Sequence, residues 1–137
     1  MGKSIREVMT TEVKACEPTA TVVDAAKVMA QEDVGPVPIV EDGRLVGIVT
    51  DRDIVVNVVA KGGDPNTTTV GGIASRDLVT ISPDDDLGGA LDLMAEKQVR
   101  RLPVVEGDRL VGILAQADIA LIGRDKKTGQ VVEEISR

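Results

Sequence analysis

Thr50-Asp51-Arg52-Asp53 follows directly on the apolar run Leu45 to Val49. A hydroxyl and a carboxylate three residues apart, at a junction of strand and helix, can serve two kinds of chemistry. They can close a capping box, in which each side chain takes the backbone N–H of the other residue, a structural device contributing about 1 kcal/mol. They can also present free N–H groups, one hydroxyl and a carboxylate that accepts two hydrogen bonds, which suits the diol of a ribose. These residues alone leave both readings open. The phrase G-R-L-V-G-I-V-T-D-R-D, Gly43 to Asp53, returns as D-R-L-V-G-I-L-A-Q-A-D, Asp108 to Asp118, with Ala115 in place of Thr50 and the final aspartate kept. An aspartate retained without its capping hydroxyl favours the ligand role and predicts two unequal sites, the Thr50/Asp53 one better equipped. A hydrolase using Asp51 and Asp53 is disfavoured, because positions i and i+2 point to different faces of a starting helix.

Composition narrows the chemistry further. The chain has no histidine, which removes the usual general base, proton shuttle and metal ligand together. It also lacks Phe, Tyr and Trp, so no aromatic platform exists for stacking single-stranded nucleic acid. A net charge of −7 repels polyanions. There is no Gly-rich phosphate loop, no pair of metal-ligand residues at the usual spacing and no apolar run long enough for a membrane span. Met1 to Arg6 has no apolar run behind its basic pair, so it does not read as a secretory signal. The single cysteine, Cys16, reads as a buried hydrophobe. These features predict a non-catalytic cytoplasmic protein that holds no resident metal and binds neither nucleic acid nor membrane. A small phosphorylated ligand gripped by a few arginines remains compatible with them.

What must position the motif is an internal duplication. Sliding the sequence by 65 positions lays Ser4 to Ile54 over Thr69 to Ile119 without a gap, and fifteen of the fifty-one pairs are identical. Each copy is too small to keep a core alone, so the two should pack face to face. Val22, Ala25, Ala26, Met29 and Ala30 form the buried stripe of an amphipathic helix, and Leu87, Ala90, Leu91, Met94 and Ala95 repeat it. Thr19, Thr21 and Asp24 supply capping groups to the first helix, and Asp84-Asp85-Asp86 to the second. Two apolar runs then flank Asp42-Gly43 or Gly107-Asp108, a hairpin signal. A second helix starts near Asp51 or Gln116. The fold class is α+β, two tandem β-α-β-β-α repeats with pseudo-two-fold symmetry: repeat 1 over 1–60, a linker over 61–68, repeat 2 over 69–124, and a charged tail over 125–137.

The tandem repeats, each carrying V-x-x-[LV]-P-[IV]-V and then L-V-G-I-[VL]-[TA]-x-x-D, resemble a pair of cystathionine-β-synthase (CBS) domains, the Bateman module. The T-D-R-D-I run, the Asp64 to Thr67 linker and the Gln98 to Pro103 run are similar to stand-alone members of that family. The resemblance implies regulatory adenosine ligands, AMP, ATP or S-adenosylmethionine, in two pseudo-symmetric clefts between the repeats. It assigns phosphate and ribose contacts to Thr50 and Asp53, and to Asp118 alone in the second copy. It also implies cleft-lining backbone at Val34, Gly35, Val99, Arg100 and Arg101, and it counts Ile48 and Ile113 among the ligand contacts. Arg100 and Arg101 can grip phosphate bidentately, or they can be two solvated surface charges.

The expected function is therefore a non-enzymatic adenine-nucleotide module acting as a regulatory or energy/stress sensor. It would work as a homodimer through an effector protein of unknown identity. The alternative is an interaction or dimerisation module whose nucleotide clefts are vestigial.

Overall fold

The computed structural model describes residues 4–122, with the side chains of residues 120–122 outside the description. The tail over 125–137 lies outside the described residues. Six helices and four strands occur in the described chain: α1 (Ile5–Val8), α2 (Val22–Glu32), β1 (Val37–Glu41), β2 (Arg44–Val49), α3 (Asp51–Ile54), α4 (Val70–Ile73), α5 (Leu87–Lys97), β3 (Arg101–Glu106), β4 (Arg109–Ala115) and α6 (Gln116–Ile122). A π-helical turn over Val55–Val59 continues α3. Four of its five residues are valine. β-Branched side chains crowd the turns of a regular α-helix, a strain that a wider turn relieves.

The chain divides into two compact units, Lys14–Leu78 and Met1–Val13 with Val79–Arg137. Neither unit coincides with one sequence repeat. The opening segment of each repeat, with α1 or α4, belongs to the compact body that carries the other repeat's hairpin.

In the unit Lys14–Leu78, Thr21 caps α2 and closes a capping box with Asp24, the Asp24 N–H reaching the Thr21 hydroxyl at 3.2 Å. The helix then buries Val22, Ala25 and Met29. Its core continues into Val37 and Ile39 of β1, Val49 of β2 and Val70 of α4. The β1–β2 turn takes positive φ at both Asp42 (54°) and Gly43 (82°), the backbone a tight hairpin requires and the one Asp-Gly accepts most readily. The register pairs Val37 with Val49 and Glu41 with Arg44.

The second unit follows the same plan. Helix α5 buries Leu87, Ala90 and Met94. Strand β3 contributes Leu102 and Val104 to the core, and β4 contributes Leu114. Leu102 pairs with Leu114 across the hairpin. The acidic triplet divides its work here. Asp86 occupies the N-cap position without a side-chain cap bond, Asp85 accepts the Ser82 N–H at 2.9 Å, and Asp84 pairs with Arg6.

The leading strand of each repeat contracts to a single parallel bridge, Cys16 to Ile39 and Ile81 to Val104. The cause lies two residues further on. Pro18 and Pro83 have no N–H to extend a ladder. The sequence expectation also lacked the one-turn helices α1 and α4, which are too short to register as a periodic apolar pattern.

Candidate functional site

Each unit builds a comparable site where its hairpin hands over to the next helix. In the unit Lys14–Leu78, Thr50 caps α3 with extended backbone, φ −117° and ψ 163°. The Asp53 N–H donates to the Thr50 hydroxyl at 3.1 Å, and the Thr50 N–H donates to Asp53 Oδ2 at 2.8 Å. The capping box is therefore fully formed. It leaves Asp53 Oδ1 without a hydrogen bond among the described residues, on a half-buried side chain. Gly35 meets this junction through its carbonyl, which accepts the Asp51 N–H at 3.3 Å. A Cβ on Gly35 would stand 3.0 Å from Asp51 Oδ1, the end of an exposed side chain that a small shift would move away. Thr50, Asp53, Gly35 and the neighbouring Val34 thus share one end of the hairpin. Ile48 lies beside them, bridged to Ser75 through N–H donors in both directions.

In the other unit the same backbone frame recurs. The Gln116 N–H donates to the Arg100 carbonyl at 3.0 Å, matching Asp51 to Gly35. Arg101 opens β3 opposite Ala115. The Arg101 residue is half-buried, whereas Arg100 and Val99 are exposed. Ile113 bridges Thr10 as Ile48 bridges Ser75.

The carboxylate itself is arranged differently. Asp118 Oδ2 accepts the Ala115 N–H at 2.9 Å, and Asp118 Oδ1 accepts the Thr10 hydroxyl at 2.6 Å. This corrects the expectation that Asp118 would have little structural work without a hydroxyl at position 115. The bond it makes to the helix start uses the N–H of Ala115, which any non-proline residue supplies. Thr10, from the other repeat's opening segment, takes up the remaining oxygen. Charge-assisted bonds of this length are among the stronger side-chain hydrogen bonds.

Thr10 and its counterpart Ser75 are residues the motif reading missed. A signal was available: both carry a hydroxyl at the same place in the self-alignment, but the identity count passes over a Thr/Ser pair. Ser75 does not copy Thr10. Its hydroxyl accepts the Asp77 N–H at 3.3 Å, and Asp53 keeps its free oxygen.

The shared Gly in L-V-G-I also has a packing cause. A Cβ on Gly112 would meet Met9 Sδ at 2.8 Å and the Thr10 carbonyl at 2.9 Å, and one on Gly47 would meet Ala74 Cβ and the Ser75 carbonyl at 3.2 Å. Cys16 is buried, and burial, with the negative charge of Asp24 second, pushes its thiol pKa up, away from nucleophilic thiolate. Among the described residues no group of three or more Asp, Glu, Cys or His could hold a metal ion.

Two α+β units with the same hairpin-to-helix frame define a tandem-repeat module whose sites are built from backbone amides and one aspartate each. The CBS domain model matches the chain twice, at residues 5–60 and 70–123, and the chain belongs to the CBS-domain family. It is 43% identical over 118 residues to the CBS domain-containing protein YhcV of Bacillus subtilis, covering 86% of this chain and 84% of that protein. It is 41% identical over 116 residues to hypoxic response protein 1 of Mycobacterium tuberculosis, covering 84% and 81%. A crystal structure of a hypoxic response protein with two coordinated zinc ions superposes with a TM-score of 0.76 at 40% identity, over 88% of this chain and 98% of that one. CBSX2 in complex with AMP superposes with a TM-score of 0.79 at 25% identity, over 92% and 99%. The CBS pair of MJ0100, in complex with 5-methylthioadenosine and S-adenosyl-L-methionine, gives 0.75 at 25%, over 92% and 99%.

Proposed function

We propose that the chain is a non-catalytic regulatory module that binds an adenosine-containing ligand, with Asp53 as the ribose contact and Thr50 on the phosphate side. The observation that carries this reading is the half-free Asp53 carboxylate at the α3 start. Its Oδ1 has no hydrogen-bond partner among the described residues, whereas both oxygens of Asp118 are engaged. The AMP and S-adenosylmethionine complexes of CBSX2 and MJ0100 support the ligand class. Gly35 and Val34 line the same site, and Arg100 and Arg101 are the candidate phosphate partners in the other unit. Ile48, Ile113 and Val99 supply apolar contact. A ligand can bias the protein's arrangement only by its differential affinity for the alternatives, and a cytoplasmic effector protein would read the result. The name of the mycobacterial relative makes a stress-linked role the natural context.

The zinc of the hypoxic response protein structure is not carried over. This chain has no histidine, and its one cysteine is buried.

Thermal unfolding in the presence of AMP, ADP, ATP, S-adenosylmethionine and NAD tests the reading. A ligand at one hundred times its dissociation constant adds about 2.7 kcal/mol of stability. A midpoint that stays put with every one of these at millimolar concentration overturns it.

A second reading, an interaction module, is favoured by one observation. The π-turn exposes Val55 (57%) and Val59 (64%), an apolar pair one turn apart, with Val56 (44%) beside them. Both readings use a homodimer, and this surface is our candidate for its interface. Val59→Asp is expected to shift the chain from dimer to monomer in sedimentation equilibrium; an unchanged mass removes these valines from the interface.

A further inference from the structure

On the β1–β2 hairpin, the unit Lys14–Leu78 contains a pocket of about 260 Å³ that neither Thr50 nor Asp53 lines. Pro18, Ile39, Val46 and Ala74 give it apolar walls, and Glu41 and Arg76 are its two charged groups. Neither charge lies within salt-bridge distance of an opposite charge among the described residues.

The other unit shows what this pocket is shaped to accept. Under the 65-position offset, Gly71 corresponds to Arg6, Ala74 to Met9 and Glu41 to Glu106. In that unit the Arg6 guanidinium donates to Glu106 Oε2 at 3.0 Å and to Asp84 Oδ1 at 3.4 Å. The Met9 side chain lies so close to Gly112 that a Cβ there would meet its Cγ at 3.1 Å and its Sδ at 2.8 Å. An aliphatic stem and a guanidinium therefore occupy the equivalent place. In the unit Lys14–Leu78 both large side chains are lost. Gly71 is pressed against Pro18, where a Cβ would meet the carbonyl oxygen at 2.9 Å, so no side chain refills the space from that position. Glu41 keeps the carboxylate, and Arg76, replacing Thr11, adds a cation that the other unit lacks.

We infer that this pocket binds a small zwitterion with a short aliphatic stem, one end a guanidinium or ammonium and the other a carboxylate, the chemistry of a basic amino acid. The cationic end takes the place of Arg6 against Glu41, the stem runs over Ile39 and Val46, and the carboxylate meets Arg76 in a charge-assisted pair. Two opposite charges on the rim select against ligands that carry only one. None of the residues assigned to the ribose or the phosphate lines this pocket.

Titration of the full, isotope-labelled chain with L-arginine, followed by amide NMR, tests the assignment. The expected result is saturable shifts confined to residues around Gly47, Gly71 and Ala74, with a dissociation constant of about 1 mM. Agmatine, which lacks the carboxylate, and pentanoate, which lacks any cation, bind about tenfold more weakly. Glu41→Gln and Arg76→Ala, both at exposed positions, each weaken L-arginine by a similar factor while leaving the rest of the spectrum in place. Ala74→Met, which restores the side chain found at Met9, closes the pocket and abolishes the shifts. Equal binding of all three compounds, shifts spread over the whole acidic surface, or no saturable shift overturns the proposal.

Discussion

Leu114→Ala lowers the unfolding free energy by about 3–5 kcal/mol, the larger of the two stability effects expected from this chain. Leu114 is 0% exposed, and its cross-strand partner Leu102 is 1% exposed. The pair joins β4 to the packing of Leu87 and Met94 from α5 and of Ile5 from α1. Removing three heavy atoms there forfeits transfer energy and leaves a cavity that the surrounding structure fills only in part. For a chain of this length the midpoint falls by about 10 °C or more. Leu110→Ala in the same strand is the control. Leu110 is only partly buried, so it is expected to cost less than half as much. Equal losses for the two, measured by denaturant unfolding at constant m-value, would show that depth in the core does not set the cost.

The sequence displayed the helices and hairpins because they obey simple periods. Of the expected stripe, Val22, Ala25 and Met29 are the face α2 buries while Ala26 and Ala30 stay exposed, and the Thr21/Asp24 pair that suggested a cap forms one. Asp42-Gly43 adopts the positive φ values its residue types allow. What the periods could not convey is the exchange of opening segments. Ile5 and Val70 are buried, and no local pattern of apolar residues says against which hairpin. That choice is made by long-range backbone bonds, Thr10 to Ile113 and Ser75 to Ile48, which leave no periodic trace.

The site was legible to the same extent. Thr50 and Asp53 stand together at the helix start, as three-residue spacing requires. Gly35 and Arg100 fall beside the two starts through backbone carbonyls, a contact no side-chain pattern announces. Thr10 was invisible to a motif confined to one repeat, because it is more than a hundred residues from Asp118 in sequence. The same blindness bears on Asp118. Its second hydrogen-bond partner lies outside the motif, so its retention alone does not separate a ligand role from a structural one.

Asp53→Ala and Asp118→Ala should therefore separate along two different axes. Asp53 spends one oxygen on the Thr50 N–H and leaves the other free. Its removal costs the fold about 1 kcal/mol, the range of a single cap. It also removes a charged acceptor from the ribose, about 1.5–3 kcal/mol of binding, which is roughly a 10- to 100-fold loss of AMP affinity. Asp118 holds both the Ala115 N–H and the Thr10 hydroxyl. Its removal releases the opening segment from the helix start and leaves two donors unpaired, a greater cost in stability than at Asp53. Its effect on the first-bound nucleotide should be small. Thr10→Val sharpens the contrast: it frees Asp118 Oδ1 without touching the carboxylate, so it makes the second unit resemble the first and should add a weak second binding event. Calorimetric titration of AMP into the three variants, with unfolding measured on the ligand-free proteins, reads both axes. If Asp118→Ala loses as much affinity as Asp53→Ala, the free oxygen is not what distinguishes the two sites. If neither loses affinity while both lose stability, the two aspartates are helix caps alone and the interaction-module reading prevails.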